Sequence, residues 1–184
     1  MAQLLRLHAD SHCFAAAQIE VEVARPRTDC LALSYIVTGK MRDVRISPVM
    51  AAARSDKLWE HTCFEAFVRA SSCDEYYEFN FAPSTQWAAY RFSNYRTGRC
   101  DAAEISAPEI EVQSSPDRYT LRAWLKLDGL SALPRNSLWQ LGLSALIEET
   151  SGRKSYWALA HPPGKPDFHH ADCFVHEFSP ATQP

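Results

Sequence analysis

Apolar residues recur along this chain with a period of two rather than 3.6, as expected of strands that bury one face. Gln18–Ile19–Glu20–Val21–Glu22–Val23 alternates cleanly, with Ile19, Val21 and Val23 on one side. Residues 30–37 form a second β-rich run that stops at Thr38–Gly39. In 62–70, Phe64, Ala66 and Val68 share one face, and Cys63, Glu65, Phe67 and Arg69 the other. Residues 75–81 set Tyr77, Phe79 and Phe81 against Tyr76, Glu78 and Asn80. Residues 86–92 set Trp87, Ala89 and Arg91 against Ala88, Tyr90 and Phe92. Runs at 119–127, 138–147 and 155–160 complete the pattern. Pro26, Thr38–Gly39, Pro83–Ser84, Gly98, Gly129, Pro134 and Ser151–Gly152 supply the turns between them. About eight to eleven short strands at such spacing predict an all-β fold, a two-sheet antiparallel β-sandwich of jelly-roll type with short helical turns. The helical turns are expected at 47–56, where Pro48 suits a first turn, and at 127–133, stopped by Pro134.

Length and charge narrow the function. At 184 residues the chain has room for one domain. Its 19 basic and 22 acidic residues leave a net charge of -3. That balance offers no surplus of positive charge for nucleic acid or anionic lipid. The longest uncharged stretches, 79–90 and 136–147, have 12 residues each, short of the roughly 20 that a membrane helix needs. The start of the chain lacks a basic n-region and a sustained apolar h-region, so a cytoplasmic protein is expected. Its six cysteines contain no CxxC and are expected to be free thiols.

Two segments interleave polar and aromatic residues. In 58–96, Glu65 and Glu78 fall on runs close enough for a hairpin through 71–74, with Tyr76, Asn80 and Trp87 near by. Carboxyl and amide groups beside flat rings suit a polyhydroxylated ligand: the polar groups bond hydroxyls while a ring covers the C–H face of a sugar. The same residues also fit a solvated face, with the glutamates paired to Arg69 or Arg91. As a carboxylate pair they further match the residue types of a glycosidase. In 156–174 and just beyond, His161, Asp167, His169, His170, Asp172, Cys173 and His176 are of zinc-ligand type. Their spacing matches no standard site, and no metal ligand is assigned. Pro162, Pro163, Gly164 and Pro166 make this a stiff polar loop, suited either to ligand contact or to histidines capping its own carbonyls.

Haem ligation is a separate reading, with Met41, Met50, His61, His161 and His169 as candidate ligands and no CxxCH for covalent attachment. Arg42, Arg45, Arg54 and Lys57 form a basic stretch that either stays solvated or meets an anionic group on a ligand. Cys63 beside His61 lacks an orienting third group for thiol catalysis. Trp124 and Trp139 are assigned to the core.

The blocks LWEHTCFEAFVR, YYEFNFAPSTQWAAYRFSNYR and YWALAHPPGKPDFHHADCF, in that order, resemble the bacterial DOMON-like proteins. These are relatives of DOMON domains and of family-nine carbohydrate-binding modules. The resemblance covers about residues 3–178 and implies one DOMON-like β-sandwich domain over 1–184, with haem or sugar held in a cleft on one sheet. It makes Trp59, Trp87 and Trp157 the stacking candidates and Glu65, Glu78, Asn80 and His161 the polar ones. Asp167 and His169 join them from the histidine-rich loop. The expected function is non-catalytic binding of a small polar, carbohydrate-like ligand, such as an intracellular sugar or nucleotide sugar. The alternatives are a haem-binding domain and a glycosidase or metal-dependent hydrolase.

Overall fold

The computed structural model describes residues 2–27, 29–127, 129–130, 132–134 and 136–179. Among these, alternation sorts the chain into twelve strands. They are β1 (Ala2–Leu7), β2 (Ala16–Arg27), β3 (Cys30–Gly39), β4 (Cys63–Ala70), β5 (Tyr76–Phe81) and β6 (Trp87–Phe92). After them come β7 (Cys100–Asp101), β8 (Glu109–Ser114), β9 (Arg118–Lys126), β10 (Trp139–Glu148), β11 (Lys154–Ala158) and β12 (His176–Phe178). The hydrogen-bonded order is β7-β6-β5-β4-β10-β11-β1-β2-β3-β9-β8, and β12 pairs with the start of β10. Every strand pairing is antiparallel.

The fold is thus all-β and antiparallel. Its ladder runs unbroken through β1, whose residues Ala2 to Leu5 pair with β2 while Arg6 and Leu7 pair with β11. One short strand therefore serves two halves, and the sheet curls so that they share a core. Ile19, Val21, Tyr35 and Leu121 from one half meet Phe64, Val68, Phe79 and Leu143 from the other. The Tyr35 hydroxyl donates to the Glu65 carbonyl at 2.6 Å, and the rings of Phe64 and Tyr119 stack at 6.0 Å. Each large apolar side chain buried there contributes about 1.5–3 kcal/mol before chain entropy is counted.

Helix is confined to 3₁₀ turns at Met41–Asp43, Leu58–Glu60 and Ala171–Cys173 among the described residues. The turn expected at 47–56 is extended instead. Backbone bonds Trp87 N–H to Ala53 and Ser55 N–H to Trp87 hold the segment against β6, and Arg54 donates to the carbonyls of Ala89 and Ala102. Backbone partners in the sheet outweigh the local helical preference. The turn expected at 127–133 includes residues outside those described.

Strands β4 and β5 are buried on both faces, a pattern usual for central strands covered on two sides. Their inner face meets the core. On the outer face a second apolar cluster gathers Phe67, Tyr76, Ala88, Tyr90, Phe92 and Phe174. The turn at Ala171–Cys173 packs over this face beside Gly142, where a Cβ would come within 3.1 Å of the Cys173 carbonyl oxygen. Only glycine allows that approach without a shift of one or the other.

Candidate functional site

A cleft of about 410 Å³ opens on the outer face of β6, β5, β4, β10 and β11. Phe92, Glu78, Glu65, Leu146 and Tyr156 rise from these five strands in turn to line it. Trp59 enters from the turn at Leu58–Glu60, Arg96 and Arg99 from the segment after β6, and Pro166, Phe168 and His169 from the loop after β11.

Strand register brings the acids together. Glu65 lies opposite Asn80, and Glu78 lies opposite Phe67, so the two glutamates are diagonal neighbours on one face. They are only 4% and 5% exposed. Asn80 donates to Glu78 Oε1 at 2.6 Å, the Cys63 thiol donates to Asn80 Oδ1 at 3.6 Å, and the Ser144 hydroxyl donates to Glu65 Oε2 at 3.4 Å. Burial, reinforced by the charge of Glu78, pushes the Glu65 carboxyl well above the usual carboxylate range. Burial also raises Glu78, against the pull of Asn80, Arg99 and Arg96. Carboxyls that keep their protons donate as well as accept, which suits hydroxyl partners. Burial leads at both, but Asn80, Arg99 and Arg96 hold Glu78 back while the charge of Glu78 drives Glu65 further up.

The walls are braced from behind. His169 Nδ1 and the Tyr76 hydroxyl share a hydrogen bond at 2.8 Å, and that hydroxyl accepts from the Arg96 N–H at 3.2 Å. The other ring nitrogen, Nε2, lies 3.8 Å from Glu78 Oε2. Burial, with Arg96 adding to it, depresses the His169 pKa to about 4, so the ring is neutral near pH 7. Arg96 sits in the left-handed region (φ 51°), a conformation non-glycine residues adopt at a cost and most often at functional sites. Its Nε and Nη2 bond Asp167 Oδ1 at 3.2 and 2.7 Å, and the Tyr95 hydroxyl bonds the other Asp167 oxygen. Burial pushes the Asp167 carboxyl up, but Tyr95 and Arg96 outweigh it and hold it below its ordinary value. Arg99 repeats the motif: it pairs with Asp56 at 2.8 Å, and the Tyr90 hydroxyl donates to the same carboxylate. The Arg99 guanidinium lies over the Tyr90 ring at 4.0 Å and the Trp59 ring at 5.0 Å, fixing the indole in place.

Of the residues singled out in the sequence, Trp59, Glu65, Glu78 and His169 line this cleft. Asn80 lies beneath it on Glu78, and Asp167 stands behind Arg96. Trp87 and Trp157 do not reach it. Trp87 pairs with Phe81 and shares its inward parity, with Arg54 over its ring at 4.3 Å. Trp157 also points into the core, its indole N–H bonded to Ser155 Oγ at 3.0 Å. Neither can stack on a ligand held here. His161 donates from Nε2 to the Arg6 carbonyl at 2.8 Å and sits edge-on to His8, outside the lining. Trp139 is in the core as expected, but Trp124 lies at a surface groove beside Cys30 and Lys126.

The other candidate chemistries disperse. Arg69 bonds Gln140 and Arg91 pairs with Glu75, so neither reaches the buried acids. Arg45 and His61 both hold Glu148, Cys63 bonds Asn80, and all six cysteines are unpaired. His170 Nδ1 caps the Ala171–Cys173 turn, and the Cys173 thiol bonds the Ala160 and Asp167 carbonyls. Among the described residues no group of three His, Cys, Asp or Glu is arranged to hold a metal ion. Of the residue types that ligate haem, His169 and Tyr156 line the cleft, while Met41 is in the core and Met50 is exposed. No helix among the described residues is long and apolar enough to cross a membrane.

Sequence reasoning missed Phe92, Arg96, Arg99, Leu146, Tyr156 and Phe168, while Pro166 belongs to the loop expected to suit ligand contact. Of those missed, Phe92 carried a usable signal, because it shares the face of Tyr90 in an alternating run.

The fold is shared with a solved protein from Bacteroides uniformis ATCC 8492, a proposed carbohydrate-binding protein. The likeness has a TM-score of 0.70 at 15% identity, over 95% of this chain and 84% of that one. Weaker likenesses are to a family 9 carbohydrate-binding module from Caldicellulosiruptor kristjanssonii. In complex with cellotriose it gives TM-score 0.49, 12% identity, and coverage of 89% and 74%. In complex with glucose it gives 0.45, 13%, and 87% and 76%. No family model matches the chain, and no curated protein gives a significant match. Fold and cleft together define an all-β protein with an acidic, aromatic-walled hollow on one sheet face.

Proposed function

We propose that this protein is a non-catalytic binding domain of the DOMON-like, jelly-roll kind, and that the outer-face cleft takes a small carbohydrate-like ligand. The convergence of Glu65, Glu78 and the braced Trp59 indole on one hollow carries the reading. Protonated carboxyls can give and take hydrogen bonds with adjacent hydroxyls, and the indole offers a flat apolar surface to sugar C–H groups. The volume falls in the range of small-molecule sites, which run from about 300 to 1,000 Å³. The fold shared with the Bacteroides uniformis protein, itself proposed to bind carbohydrate, supports the reading. A cytoplasmic mono- or disaccharide, or a nucleotide sugar, remains the ligand class of this proposal.

Calorimetry with a panel of such sugars tests it. Saturable heat is expected from at least one, with affinity reduced about tenfold or more (about 1.4 kcal/mol) in Trp59→Ala. No heat across the panel and an unmoved thermal midpoint would remove the proposal.

A further inference from the structure

The charges around the cleft are unevenly partnered. Arg96 lies on Asp167 through two nitrogens, and Arg99 holds Asp56. Each guanidinium already has its own carboxylate. Glu65 and Glu78 have none: among the described residues, no lysine or arginine forms an ion pair with either. The nearest basic group is the His169 ring, 3.8 Å from Glu78 and itself neutral. Glu65 receives only the Ser144 hydroxyl, at 3.4 Å. Two carboxyls more than nine-tenths buried therefore line an open hollow with acceptor sites to spare and no directly paired cation; Arg96 and Arg99, in the same lining, act on them only from a distance and are already seated on aspartates.

A buried carboxyl left without a counter-ion holds its proton. An organic ammonium would supply the missing charge, and its three N–H donors can be shared between acceptors on neighbouring strands. The rings of Trp59, Phe92 and Phe168 line the same hollow, and Trp59 already carries one cation, Arg99, over its ring. An anionic sugar is disfavoured, since it would have to displace aspartates already seated on the arginines and would approach the two acids. Resting on the carbohydrate reading above, we infer that the ligand is an amino sugar of the hexosamine class, its ammonium seated between Glu65 and Glu78. On binding, the ammonium keeps its protons, one carboxyl ionises, and the released proton passes to solvent.

Calorimetry at neutral pH with glucosamine, glucose, N-acetylglucosamine and glucuronate tests the inference. Glucosamine is expected to bind at least tenfold tighter than glucose. N-acetylglucosamine, which lacks the charge, should show no such gain. Repeating the glucosamine titration in buffers of different ionisation enthalpy should reveal net proton release, which glucose should not cause. In Glu65→Gln/Glu78→Gln the ratio of glucosamine to glucose affinity should fall to about one; this ratio, rather than either affinity, is the readout, with near-ultraviolet circular dichroism to check folding. Should the variant not fold, the wild-type ratio and proton release decide the matter. Equal affinity for glucose and glucosamine, or a preference for glucuronate, would overturn the amine while leaving carbohydrate binding in place. Silence from all four sugars would overturn the amine, while the wider panel of mono-, di- and nucleotide sugars decides carbohydrate binding.

Discussion

Alternate residues of β4, β5 and β6 build two faces that are equally dry and chemically unlike. The inward set, Phe64, Ala66, Val68, Tyr77, Phe79, Phe81, Trp87 and Ala89, is apolar apart from one phenol and one indole N–H, with Arg91 following at its margin. The outward set includes Phe67, Tyr76, Tyr90 and Phe92, but Glu65, Glu78 and Asn80 are buried among them. Packing explains the inward set completely, because large apolar side chains fill the space between the two halves of the sheet. It does not explain the outward one. Apolar residues of similar volume at 65 and 78 would cover the same strands without desolvating two acids. Depth of burial therefore does not distinguish packing from function in this protein, whereas polarity at depth does.

That contrast can be broken most forcefully from the inside. Phe79→Ala should cost about 3–5 kcal/mol in denaturant unfolding through lost burial and the cavity left behind. A cost below about 1 kcal/mol would mean that the inward face is not the stabilising one. On the outward face, His169 is neutral in the fold and takes up a proton readily once unfolded. Stability is then present above the ordinary histidine range and is lost as pH falls from 6.5 towards about 4, by roughly 3 kcal/mol in all. His169→Gln should flatten that acid limb in pH-dependent urea melts.

The two glutamates act with the opposite slope. Their folded pKa values are raised, so the folded state holds more protons than the unfolded chain above the ordinary carboxylate range. Stability from them is full at low pH and declines as pH rises through the folded values. Glu65→Gln/Glu78→Gln should remove this decline and leave the variant more stable than the wild type at pH 8. A variant that loses stability there would make the acids structural. Trp59→Ala sharpens the comparison with the smallest thermodynamic signal: thermal melts should show under about 1 kcal/mol, since the indole is half-buried at the rim.

Strand parity was the most legible feature of the sequence. Phe64, Ala66 and Val68 turn inwards and Glu65 outwards as the alternation predicts, because a half-buried strand cannot slip by one residue without exposing its apolar set. Trp87 and Trp157 were misread for want of register. Which side of the sheet Trp87 takes depends on its pairing with Phe81, set by the turn Ala82–Gln86. Turn length and type leave too faint a trace in one sequence to fix that pairing. Arg96 and Arg99 were hidden for a related reason. Their positions depend on a left-handed backbone at Arg96 and on aspartates 71 and 43 residues away, none of which shows as a local pattern. The short edge strands β7 and β12 have too few residues to display alternation at all.

The most direct test is a crystal structure of the protein soaked with the tightest-binding sugar of the panel. The sugar ring is expected against the Trp59 indole, with polar atoms within hydrogen-bonding distance of the Glu65 and Glu78 carboxyls. A sugar seated instead in the groove beside Trp124, or a cleft without sugar at saturating concentration, would contradict the account.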